Sequence, residues 1–74
     1  MEDKFIELFS EILEMEGQQI NLEDNFRDYD NWDSLANLSV IAMLDEEFGV
    51  LIENKDFKNI NTVGELISEV KNRM

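Results

Sequence analysis

Reactive side chains crowd against the start of a helical pattern at one place in this chain, Asn31-Trp32-Asp33-Ser34-Leu35. Ser34 offers a hydroxyl and Asp33 a carboxylate, and a long apolar helix pattern begins directly behind them. Either residue is a favoured N-cap, able to accept a hydrogen bond from a free backbone N–H of the first turn. By residue type alone, capping is the reading expected for a lone serine here, and the other reading is a hydroxyl placed to be reached from outside. Nucleophilic catalysis by Ser34 has no support, because the chain has no His to act as base and no Gly-x-Ser-x-Gly elbow around the serine. There is no Cys either, so neither thiolate chemistry nor a disulfide framework is available. The run Asp24-Asn-Phe-Arg-Asp-Tyr-Asp-Asn-Trp-Asp33 is rich in carboxylates but does not fit a calcium loop. Begun at Asp28, such a loop puts Trp32, Asp33 and Ser39 where an oxygen ligand, a glycine and a glutamate are required. Begun at Asp24 or Asp30, it puts Phe26 or Trp32 at a ligand position. No metal site is expected, and nothing places two carboxylates in a closed pocket, so no catalytic residue is expected.

The bulk properties narrow the partners. Six Lys and Arg stand against eighteen Asp and Glu, a net charge of −12 over 74 residues. Such a surface repels nucleic acid and anionic membranes and draws partners that carry basic patches. No apolar run approaches the roughly 20 residues of a membrane span, and the acidic, amphipathic start Met1-Glu-Asp-Lys-Phe-Ile-Glu-Leu-Phe9 is unlike a signal peptide. A single domain over residues 1–74, monomeric and cytoplasmic, is expected, with a small core.

The elements that must position Ser34 are helical. Phe5, Leu8, Phe9, Ile12 and Leu13 recur at helical spacing, predicting a first helix from about Glu2 to Met15 that stops at Gly17. Glu16 to Asp33 has no clean period, yet Ile20, Leu22, Phe26, Tyr29 and Trp32 are scattered through it. A connection this long is expected to pack across the bundle. A second helix is predicted from Ser34 or Leu35 to Phe48, ending at Gly49. A short helix or turn follows near Asn54 to Asn59. The last helix opens with a capping box of Thr62 and Glu65 and carries the stripe Val63, Leu66, Ile67, Val70. Lys71 and Arg73 suit its C-terminal dipole. Gly64, inside its first turn, costs up to about 1 kcal/mol against alanine, and nothing in the sequence accounts for it. The fold class is therefore all-α, a small four-helix bundle of three main helices and one short one, with a long loop between the first two.

The second helix is apolar on two sides. At about 100° per residue, Val40, Ile41, Leu44 and Phe48 share one face, which is assigned to the core. Leu35, Leu38 and Ala42 form a strip on the opposite side, fringed by Asp45 and Glu46. A bundle helix needs one buried face, so this strip is expected to be a docking surface with an apolar centre and a polar rim, unless the long loop covers it.

Taken together, Asp33-Ser34-Leu35 with the helix through Val50, the long loop before it and the closing Phe57-Lys-Asn-Ile-Asn-Thr-Val-Gly-Glu-Leu-Ile67 resemble an acyl carrier protein over nearly the whole chain. The resemblance implies a non-catalytic carrier in which Ser34 is esterified with 4′-phosphopantetheine, flanked by Asp33 and Leu35. The arm supplies the thiol that the chain lacks and holds acyl or aminoacyl groups as thioesters. It implies as partners a phosphopantetheinyl transferase, an acyl or aminoacyl ligase, and acyltransferase or synthase enzymes with basic docking patches. It also makes the second helix the recognition surface, at Leu35, Ala36, Leu38, Ser39, Ala42, Asp45 and Glu46. Ala36 and Ser39 replace acidic residues common in carriers of fatty-acid biosynthesis, Ala42 replaces a large apolar one, and Lys55 and Lys58 stand where acidic residues are commoner. The peptide-synthetase Gly-Gly before the serine is absent. These departures imply a stand-alone carrier of a specialised pathway. The alternative is a small acidic module that docks on or inhibits a basic protein, with Ser34 only a helix cap.

Overall fold

The computed structural model describes all 74 residues and contains four α-helices and no strand. They are α1 (Glu2–Ile12), α2 (Ser34–Phe48), α3 (Asn54–Phe57) and α4 (Val63–Arg73), with one 3-10 turn at Phe26–Asp28 in the long loop. The expected all-α bundle is what forms, and no helix is long and apolar enough to cross a membrane.

Helix α1 ends earlier than its apolar pattern. Glu14, not Gly17, takes the left-handed turn that stops it, at φ 54°. The N–H of Met15 donates to Ser10 O at 2.8 Å and that of Glu14 to Glu11 O at 3.2 Å, which satisfies the last carbonyls of the helix. A glycine enters this conformation without the steric cost that a Cβ carries, so residue type favours Gly17 over Glu14 as the stop. Gly17, at φ 83°, turns the chain again further on. Helix α2 stops at Gly49, as its sequence predicts, with φ 65° and its N–H on Asp45 O at 3.1 Å.

The loop between α1 and α2 is part of the core. Phe26 is fully buried, and Tyr29 and Trp32 are half-buried against the same cluster. The Phe26 ring meets Trp32 at 4.8 Å, Phe57 at 5.8 Å and Phe9 at 5.9 Å between centroids. One aromatic group therefore joins the loop to α1 and α3. Side-chain hydrogen bonds tie the loop to the end of α1 and brace it internally. Asn31 Nδ2 donates to Leu13 O at 2.7 Å. The hydroxyl of Tyr29 donates to Asp24 Oδ2 at 2.7 Å, which lowers the Asp24 pKa, while burial, and then Asp24 itself, raises that of Tyr29.

The start of α4 explains Gly64. The capping box is present: Thr62 Oγ1 accepts from Glu65 N at 3.1 Å, and Glu65 Oε1 accepts from Thr62 N at 2.9 Å. Backbone hydrogen bonds to the Thr62 and Asn61 N–H groups hold the Glu65 pKa down. Stabilisation from the lowered Asp24 and Glu65 is thus complete above their ordinary values and is lost as pH falls through the lowered ones. The two N–H groups inside the box go to the loop, Val63 N to Asp24 O at 3.0 Å and Gly64 N to Leu22 O at 2.8 Å. A Cβ on Gly64 would lie 3.1 Å from that same Leu22 oxygen. Glycine here lets the loop backbone close onto the helix end. Gly64→Ala is therefore expected to lower the melting temperature even though alanine is the better helix former. A thermal melt that rises for the variant would show that the loop yields at little cost.

On α2 the buried face is rotated from the predicted one. Val40 and Leu44 are fully buried as expected, but Ala36 and Met43 join them while Ile41 and Phe48 are only half-buried. The periodicity placed an apolar arc correctly. Its centre is set by how the other elements pack on α2, which buries Ala36 and Met43 and leaves Ile41 and Phe48 at the margin.

Candidate functional site

Asp33, not Ser34, caps α2. Asp33 is extended, and its Oδ1 accepts from Ala36 N at 2.8 Å. Ser34 is the first helical residue, exposed, and its hydroxyl has no hydrogen-bond partner within the protein. This corrects the capping reading drawn from residue type. With the cap supplied by its neighbour, nothing in the fold uses the Ser34 Oγ. The N–H groups of Ser34 and Leu35 also have no helical acceptor, as first-turn donors must, so an anion on Ser34 Oγ would meet free donors and the positive end of the helix dipole. Asp33→Ala is expected to cost about 1 kcal/mol of unfolding free energy, whereas Asp33→Asn keeps a capping oxygen and costs a few tenths. Urea denaturation of the two variants checks this, and equal losses would mean that the Asp33 charge, not its cap, is what stabilises.

The remaining residues named from sequence separate into zones. Leu35 and Leu38 are 71% and 56% exposed, so the long loop does not cover this strip. Leu38 borders an open depression beside Ser34, together with Arg27, Trp32, Asp33, Asn37 and Asn54. Ser39, Ala42 and Glu46 edge a second groove with Leu8 and Ile12 of α1. Asp45 is exposed on the same side of α2. Ala36 is corrected: only 6% exposed, it is core and is not available to a partner. No group of acidic residues is arranged to hold a metal ion.

Of the residues around the depression, the sequence reading missed Arg27, Asn37 and Asn54. Asn37 Nδ2 donates to Asn54 Oδ1 at 3.0 Å, joining α2 to α3. Arg27 Nη2 donates to Phe57 O at 2.6 Å and to Ile60 O at 2.9 Å, and its Nε donates to Ile60 O at 3.1 Å, fastening the loop to the end of α3. Arg27 did carry a signal: it is the only cation between Lys4 and Lys55.

A family model described as the phosphopantetheine attachment site matches residues 3–70. The chain is also 30% identical over 66 residues to an acyl carrier protein of Acidothermus cellulolyticus, across 89% of this chain and 79% of that protein. The chain belongs to the acyl carrier protein family. Its fold is similar to the solution structure of a holo acyl carrier protein from Geobacter metallireducens, with a TM-score of 0.83 over 97% of this chain and 83% of that one, at 21% identity. Members of the family are carriers and not catalysts, and this carrier is not an enzyme. It takes a covalently attached 4′-phosphopantetheine and works with partner enzymes such as synthases and acyltransferases. The surroundings of Ser34 fit that group: an exposed hydroxyl with no other use, free backbone donors beside it, and an open depression next to it.

Proposed function

We propose that Ser34 Oγ is the atom that carries the arm, and that the protein presents acyl or aminoacyl thioesters on it within a specialised biosynthetic pathway. The observation that carries this is the division of labour at the start of α2, where Asp33 takes the capping role and leaves the Ser34 hydroxyl exposed and unpartnered. Loading would transfer the phosphopantetheinyl group from coenzyme A. The Ser34 hydroxyl gives its proton to a base of the transferase, an O–P bond forms, and the pyrophosphate bond breaks with 3′,5′-adenosine diphosphate leaving. The carrier has no His to supply that base itself.

The docking face for the phosphopantetheinyl transferase, for an acyl or aminoacyl ligase and for later enzymes is Leu35, Leu38, Ala42, Asp45 and Glu46. Leu35 and Leu38 give it an apolar centre, and the carboxylates of α2 give it a rim that suits basic patches. The specialised pathway is supported by the thinner charge of the first half of α2, where Ala36 and Ser39 stand, and by Lys55 and Lys58 in and beside α3. The test is the intact mass of the protein after incubation with coenzyme A, magnesium and a broad-specificity phosphopantetheinyl transferase. A gain of one phosphopantetheinyl unit, mapped to the peptide containing Ser34, is the expected result. A gain mapped to another residue would overturn the assignment.

A further inference from the structure

We infer that Arg27 is the counter-ion of the phosphodiester on Ser34, and that the depression it shares with Trp32, Asn37 and Asn54 is the resting place of the tethered arm. The inference builds on Ser34 as the attachment point and adds a role for residues outside it.

Arg27 is out of keeping with its surroundings. Six cations face eighteen carboxylates in this chain. Lys4 pairs with Glu47 at 3.4 Å, Lys71 with Glu2 at 3.7 Å, and Arg73 with Glu69 and Asp56 at 2.6 and 3.6 Å, while Lys55 and Lys58 are exposed side chains in no ion pair. Arg27 has Asp28 beside it and Asp30 and Asp33 close along the chain, yet no carboxylate lies within ion-pair distance of it. Nor is it a loose surface side chain. Its guanidinium lies 5.1 Å from the Phe26 ring and 5.4 Å from the Phe57 ring. Its three hydrogen bonds to Phe57 and Ile60 carbonyls use Nε and Nη2 only. The N–H groups of Nη1 are left with no acceptor. A guanidinium fixed by stacking and by two carbonyls has already lost its rotamer freedom, so binding an anion costs it little further ordering. Such a charge-assisted hydrogen bond is stronger than a neutral one.

Arg27 and Ser34 line the same depression. A phosphodiester on Ser34 Oγ keeps two unesterified oxygens and one negative charge, and the covalent bond holds it beside Arg27 at an effective concentration of roughly millimolar or above. Even a weak pairing is then populated. Beyond the phosphate, the arm alternates amides with short apolar stretches. The depression offers it Asn37 Oδ1 and Asn54 Nδ2, neither used by the Asn37–Asn54 hydrogen bond, between the apolar walls of Trp32 and Leu38. The rings of Phe9, Phe26 and Phe57 pack against Trp32, and the arm lies along the surface. The Asp33 carboxylate on the rim opposes the phosphate, and Arg27 offsets that repulsion.

The test compares 15N-labelled apo and holo protein by NMR, with loading established separately by mass. Trp32 is the sole tryptophan, so its indole N–H signal is assigned without variants. The expected result is that loading shifts the Trp32 indole signal, the Arg27 Nε–H signal and the side-chain amides of Asn37 and Asn54. The Arg27 shift should shrink in about 1 M salt, where the screening length falls to about 3 Å. Arg27→Lys, which keeps the charge and loses the fork, should move the 31P signal of the holo protein away from its wild-type position. Loading that shifts only Asp33, Ser34 and Leu35, and leaves Arg27 and Trp32 in place, would overturn the inference while leaving the attachment point intact. A protein that gains no mass fails at the earlier step, and the two failures are read on different instruments.

Discussion

Ser34→Ala is expected to abolish loading completely and to leave stability within about 0.5 kcal/mol of the wild type, the ordinary range for an exposed position. Both halves follow from the geometry. The hydroxyl makes no hydrogen bond within the fold, so its removal leaves no buried partner unsatisfied. Alanine is also the better helix former at the first helical position. The cap, for which Asp33 and Ser34 both qualify by residue type, is made by Asp33 and survives the substitution. The informative result is the contrast within one experiment: a urea midpoint that does not move and a mass gain that vanishes. A variant that still gained a phosphopantetheinyl unit would place the arm elsewhere. A variant that lost more than about 1 kcal/mol would mean that the hydroxyl supports the helix after all.

Phe26→Ala should have the largest effect on the fold, a loss of about 3–5 kcal/mol. A domain of 74 residues has on the order of 4–11 kcal/mol in total, so the variant should sit close to unfolding at ordinary temperature. Phe26 is fully buried at the centre of the aromatic group, touching α1 through Phe9, α3 through Phe57 and the approach to the site through Trp32. It comes from a loop, so little local helix structure stands in when its contacts are lost. Arg27, stacked on its ring, loses its seat with it. Denaturation followed by Trp32 fluorescence reads both effects, since Trp32 should become more exposed as Phe26 is removed. Phe26→Leu keeps most of the volume and should cost well under half as much. An unchanged midpoint for Phe26→Ala would show that the loop is anchored by its backbone bonds to α4 and not by its aromatic side chain.

The local signals in this sequence were sufficient wherever a single element decides the outcome. Thr62 and Glu65 announce the start of α4 because a capping box is made and completed within four residues. Gly49 announces the end of α2 because few residues enter the left-handed turn cheaply. The exposed strip of Leu35 and Leu38 was legible because α2 has more apolar surface than a small bundle can cover. The motif at Asp33-Ser34-Leu35 likewise pointed to the family and, through it, to the prosthetic group. Other points were decided between elements, where no local pattern speaks. Asp33 and Ser34 are equivalent caps by residue type, and only the path of the incoming loop selects Asp33. Ala36 is buried and Ile41 half-exposed because the packing of the other elements on α2 sets the centre of an arc that periodicity defines only in width. Gly64 is required by the carbonyl of Leu22, far away in the chain and 2.8 Å away in space from its N–H. Arg27 shares a depression with Ser34 because its guanidinium bonds carbonyls at and just beyond the end of α3, 30 and 33 residues further along the chain. Side-chain type and spacing determined the family and the helices, while long-range packing of the loop determined which neighbours Ser34 has.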